Sequence, residues 1–211
     1  MLSQCRSAER HCDNRRAFSD VDAGPRPNPG ALGGRPDVDV DVDVDVDMDM
    51  RVIAIDPGVT GALAVVVGKP GDLRVESVAD LPVLVRHTAT GKARRSVDGV
   101  ALADMVRDAG AADGALVERL VAPPGIASNT AFSMGATAAV CDIALRLAGY
   151  EPVVVSPNVW KLALGAPAAK QDARRFATQL FGSDAQWRLA MHHNRAEAAL
   201  IGAWWLIRAK Q

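Results

Sequence analysis

Residues 51–67 read RVIAID, PGVTG and ALAVVV, two apolar runs separated by a Gly/Pro turn. Apolar runs of that length, rich in β-branched residues and bounded by turn signals, are buried strands. A third segment, LRVESVADL (73–81), alternates and follows a KPGD turn. Three strands joined by such short turns predict an antiparallel meander.

The pattern then changes. Residues 86–96 (RHTATGKARRS) read as a basic, Gly-containing loop. Asp98 can cap a helix to about Asp108, with Val100, Leu102, Met105 and Val106 on its apolar side. GALVERL (114–120) is a fourth strand, VAPPGIASN a loop, and 130–148 a helix of small residues in which Phe132 is expected to pack. EPVVVS (151–156) is a fifth strand, shorter helices cover 157–163 and 170–181, and a last helix runs from about His192 to Ala209. A meander followed by alternating helix and strand makes a mixed α/β sheet.

Residues 1–49 differ from the rest. They carry six Arg against eleven acidic groups, and residues 37–49 read DVDVDVDVDVDMD. Alternation is the strand pattern, yet one face would hold like charges about 7 Å apart. The segment reads as a disordered acidic leader; Met50, just before the first strand, is an alternative natural start. The overall charge of −1 therefore hides a mildly basic remainder, residues 50–211, which permits an anionic partner. The three Cys are widely spaced, which suggests neither a disulfide framework nor a Cys-rich zinc site and fits a reducing cytoplasm. No apolar run approaches 18 residues and no apolar signal segment opens the chain, so no membrane association is expected.

Three places could carry chemistry. Asp56 ends the first strand, where a carboxylate projects into the crevice above the sheet edge; a turn-capping Asp is the plainer reading. Glu118 follows Ala115, Leu116 and Val117, and a charge in such a run needs a partner, a metal or a strand end; an edge pair with Arg119 is the plainer reading. If the first and fourth strands are parallel neighbours, these two carboxylates approach each other, and a divalent cation relieves their repulsion. On the last helix His193 and Asn194 precede Glu197 by four and three residues, so either shares a face with it beside the stripe Ala196, Leu200, Trp204 and Ile207. A polar surface turn with Arg195 is the plainer reading here. Such an oxygen-rich set with one nitrogen suits Mg2+ or Mn2+ better than structural zinc.

Taken in order, IAIDPGVTGALAV, LPV, GKARRSVDGVALADMV, LVERLVAPPGIASNTAFSMGA, VVVSPNVWKLALG and HNRAEAALIGAWW resemble RuvC-type Holliday junction resolvases, nearest the phage and prophage branch with its R-A-E-A segment. The resemblance spans residues 50–211. It implies a ribonuclease H-like mixed five-stranded sheet flanked by helices, a homodimer, and metal-dependent hydrolysis of branched DNA such as a four-way junction. It assigns Asp56, Glu118 and Glu197 as metal ligands. The fourth ligand falls on His193, with Asn194 second, because Asn194 stands where the family carries Asp or His. Lys170 matches a basic residue near the cut phosphate, or else is a solvated Lys; Lys161 has the same two readings. Trp160 reads as core. Arg86, Lys92, Arg94 and Arg95 give the basic loop a phosphate-positioning tip or a merely solvated one. Ala131, Gly135 and Ala139 recur at i, i+4 and allow close helix approach between protomers, or packing on their own sheet.

IDPGVTGA also resembles the first phosphate loop of actin-like ATPases, but those need a second such loop in a longer, duplicated chain. A junction-binding protein without catalysis, and a nuclease acting on RNA–DNA hybrids, are two further functions that the same fold could serve.

Overall fold

The computed structural model describes residues 49–209, without the side chains of Lys170 and Gln171. The acidic leader expected over residues 1–49 thus lies outside the described residues but for Asp49, whose carboxylate pairs with Arg74 at 2.8 Å.

The meander forms as its turns require. Strands β1 (Met50–Asp56), β2 (Ala62–Lys69) and β3 (Asp72–Asp80) pair antiparallel in succession. Next come β4 (Val83–His87) and β5 (Ala93–Val97), then α1 (Gly99–Asp108), whose first turn is capped by the Asp98 carboxylate accepting from the Val100 and Ala101 amides. Strand β6 (Gly114–Glu118) pairs parallel with β1, and β7 (Val153–Val155) parallel with β6. The result is a mixed five-stranded sheet in the order β3-β2-β1-β6-β7. Helices α2 (Ser128–Leu147), α3 (Pro157–Leu164), α4 (Lys170–Phe181) and α5 (His193–Arg208) complete the described chain. A single 3-10 turn, Ala190–His192, leads into α5.

The central strands are buried on both faces, which is why they read as unbroken apolar runs. Val52, Ala54, Val66 and Leu116 face α5 and the buried Trp160 and Trp187. Ile53, Ile55, Val65 and Val117 face α1 and α2 through Leu102, Val106, Cys141 and Leu145. Burial pushes the Cys141 thiol up to about 12, with the Asp56 charge adding to the shift. Helix α5 approaches the sheet tightly at Gly202, where a Cβ would stand 2.7 Å from Val66 Cγ2. Its residues 196–204 are buried without a break, so it is a core helix with no solvent face along that stretch.

Three expectations are corrected. The basic loop at 86–96 is the end of one strand, a turn and another strand: β4 and β5 form a two-stranded antiparallel hairpin separate from the main sheet. Its residues 85–96 are all exposed, so no apolar alternation marked them as strands. Val100 is 76% exposed, and α1 buries Leu102, Ala103 and Val106 instead, because Val100 lies about 200° around the helix from Leu102. Phe132 is 84% exposed on α2. Helix α2 has the length and mean hydropathy of a membrane span, but polar residues interrupt its apolar runs and it packs one side on α1 and the sheet.

Candidate active site

Register brings the first two carboxylates together. Ile55 pairs with Val117, so Asp56 and Glu118 follow on adjacent parallel strands one residue beyond that rung. Alternation from Val52 and Ala54, and from Leu116, puts both on the α5 face. Parallel neighbours are about 4.8 Å apart, close enough for the two charges to interact strongly. The loop after Asp56 turns tightly, with the Gly61 amide donating to the Gly58 carbonyl at 3.0 Å. A Cβ at Gly61 would stand 2.2 Å from the Asp56 carbonyl oxygen, so only glycine fits there.

Helix α5 supplies the third carboxylate. Asn194 and Glu197, three residues apart, both turn toward the ends of β1 and β6 and are 7% and 6% exposed. The Asn194 amide donates to the Thr60 hydroxyl at 3.1 Å and also to the Thr60 carbonyl, tying α5 to the loop after Asp56. Asp56, Glu118, Asn194, Glu197, Lys161 and Thr60 line one cleft of about 270 Å³ at the C-terminal ends of the parallel strands.

Helix α3 contributes two adjacent side chains. The Trp160 indole N–H donates to Glu118 Oε1 at 2.7 Å, and Lys161 Nζ lies 2.7 Å from Glu197 Oε1. The Lys161–Glu197 pair is largely withdrawn from water, with side chains 21% and 8% exposed. One ammonium thus offsets part of a cluster of three acidic groups.

The remaining expected residues fall elsewhere. His193 is not part of the cleft lining; its Nδ1 lies 3.5 Å from the Ala190 carbonyl oxygen. Lys170 opens α4, two residues after the cleft-lining Ala168. Arg86, Lys92, Arg94 and Arg95 are exposed on the hairpin and do not line the cleft. There Arg86 stands directly opposite Arg94. Like charges so paired repel, and an anion would relieve them. Thr60 and the polar role of Trp160 are not apparent from the sequence pattern; the Thr of DPGVTG was the available signal for the former.

Three carboxylates and an amide, converging from β1, β6 and α5, make a donor set suited to a hard divalent cation. As the side chains now stand, no three carboxylate, imidazole or thiol groups among the described residues are close enough to share one. Glu197 is turned to Lys161, so binding would require it to exchange that ammonium for the cation.

Among solved structures, Thermus thermophilus RuvC in complex with a Holliday junction substrate matches with a TM-score of 0.51 and 15% identity, over 74% of this chain and 94% of that one. The fold is RuvC-like. A second structure of Thermus thermophilus RuvC gives a TM-score of 0.45 and 18% identity, over 74% and 95% of the two chains. No family model and no curated protein matches the chain. The described sheet order, with helices on both faces, is the ribonuclease H-like architecture expected from the sequence.

Proposed function

We propose that this protein is a divalent-metal-dependent endonuclease that hydrolyses phosphodiester bonds in branched DNA, with the four-way junction as substrate. The convergence of Asp56, Glu118 and Glu197 in one cleft carries this reading. The RuvC-like fold supports it, since the matched Thermus protein is complexed with a Holliday junction.

Asp56, Glu118 and Glu197 would hold Mg2+, or Mn2+ in its place, with Asn194 rather than His193 as the neutral fourth donor. Bound cations of this kind make water a competent nucleophile at neutral pH and stabilise the leaving oxygen. The carboxylates orient them, and the buried walls limit bulk water. Lys161, once parted from Glu197, is placed to hold a phosphate oxygen. The hairpin arginines, with Lys92, bind the duplex backbone outside the cleft.

Two protomers acting together would cut two strands of one junction. The side of α2 carrying Phe132, Gly135 and Ala139 is exposed, and a groove beside it is lined by Ile126, Ala131, Phe132 and Gly135. Those small residues are therefore not spent on packing against their own sheet.

The test is cleavage of labelled four-way junction, flap and RNA–DNA hybrid in parallel, with Mg2+ and with chelator. Metal-dependent cutting of the junction in preference to the flap and the hybrid is expected; cutting of none overturns the reading. A non-catalytic junction binder is the second reading, favoured by the neutral Asn194 and by the Lys161–Glu197 pair. A binder would hold the junction as tightly in chelator as in Mg2+ and never cut it.

A further inference from the structure

The indole of Trp160 is fully buried, and its single polar atom is directed at a carboxylate of the cleft. Packing alone would be served by Phe or Leu, since a buried indole requires a partner for its N–H. Trp160 is held rigidly enough to act as a fixed donor. Its helix starts at Pro157, immediately after β7 and Ser156, and β7 is paired to β6 with Val155 opposite Glu118. The Arg119 amide donates to the Val155 carbonyl at 2.7 Å, locking the same rung from the other side. The helix that carries the donor therefore follows directly from a strand paired to the one that carries Glu118.

We infer that Trp160 is a positioning residue for Glu118: its N–H engages Oε1 and so fixes the orientation of a carboxylate that lines the cleft. This rests on the reading of the cleft as a metal site. The neighbouring residue has a contrasting task. Lys161 Nζ lies 5.1 Å from the centroid of the Trp160 ring and pairs with Glu197. An ammonium beside Glu197 competes with an entering cation and must yield to it. A neutral indole N–H does not compete, so its bond to Glu118 persists when the cation binds. Groups that orient a ligand's remaining lone pairs in this way tune affinity without touching the metal.

Trp160→Phe keeps an aromatic ring in the core but removes the donor together with part of the buried indole, so its melting temperature is measured alongside. Its Mn2+ affinity, measured by calorimetry, should fall about tenfold. Junction cleavage should drop at limiting Mn2+ and recover as Mn2+ is raised, a rescue that a purely packing role would not give. Asp56→Asn serves as the reference. If wild type binds Mn2+ in an Asp56-dependent way and Trp160→Phe binds it within twofold of wild type, the inference fails and the metal site stands. If wild-type binding is absent or independent of Asp56, both fail. Should Trp160→Phe not fold, the assigned indole N–H resonance of Trp160 in wild type decides. It should resist exchange and move on Mg2+ addition, and Asp56→Asn should abolish the movement. A resonance indifferent to Mg2+ overturns the inference.

Discussion

Asp56 and Glu118 end adjacent parallel strands, one residue past the Ile55–Val117 rung and on the same face of the sheet. Asp56 is buried and Glu118 half-buried, so each charge requires a partner, and both are needed for the proposed chemistry. Asp56→Asn should lower junction cleavage in Mg2+ by about three orders of magnitude, ~4 kcal/mol in the barrier. Binding of the junction should persist or tighten, because a negative charge facing phosphate is removed. Cleavage rates and gel-shift titrations on one preparation check both halves.

The Arg86–Arg94 pair on the hairpin predicts a salt signature. Replacing both with Ala should reduce the slope of log affinity against log salt by about 2, close to 0.9 for each phosphate no longer neutralised. The hairpin itself should not suffer, since directly opposed like charges are destabilising. Titrations at several salt concentrations, with melting curves, test it.

These arginines also show where the sequence is hard to read. β1, β2 and β6 stand out because burial on both faces demands apolar runs, and their terminal carboxylates contrast with those runs. β4 and β5 carry no buried face apart from Val97, so nothing but the central Gly91, at φ +78°, marks a turn between strands. The choice between His193 and Asn194 is equally closed to inspection. At 100° per residue, positions three and four before Glu197 lie about 60° and 40° to either side of it. The hydrogen bond of Asn194 to Thr60, a long-range event, is what turns Asn194 toward the cleft.

Arg195, next to Asn194, makes a two-pronged pair with Asp80 at 2.7 and 2.8 Å. The guanidinium holds the Asp80 carboxyl below its usual value, against the opposing effect of burial. A depressed carboxylate contributes stability above the unfolded pKa, near 3.9, and loses it as pH falls through the folded value. The pair is partly solvated, so Asp80→Asn should cost only about 0.5 kcal/mol at pH 7. That difference should shrink below about pH 4. Urea denaturation of both proteins at pH 7 and at about pH 3 measures it.

Gly202 predicts the opposite of helix propensity. Alanine would favour the helix by ~1 kcal/mol. Here its methyl would meet Val66, a fully buried and rotamer-restricted side chain, at 2.7 Å. Gly202→Ala should therefore destabilise by about 1–3 kcal/mol. Thermal melts should show a loss of several degrees.

On α2, a Cβ at Gly135 would meet nothing within 4 Å. Gly135→Arg should leave the fold intact and obstruct only a second protomer. A dimer by sedimentation for wild type, and a monomer with unchanged circular dichroism for Gly135→Arg, is expected. A wild-type monomer that makes paired cuts would sink the two-protomer scheme.

The parallel pairing of β1 with β6 joins parts of the chain that are distant in sequence; Arg51 meets Asp113, 62 residues further on. Hairpin pairings within β1, β2 and β3 are local and form readily, whereas closing the long loop is entropically slower. The cleft is complete only when that loop has closed to bring Glu118 beside Asp56 and α5 has brought Glu197. A chain caught midway in folding would carry the first carboxylate without its two companions. On the proposed function, a molecule that lacks any one of the three would be unable to nick the DNA around it.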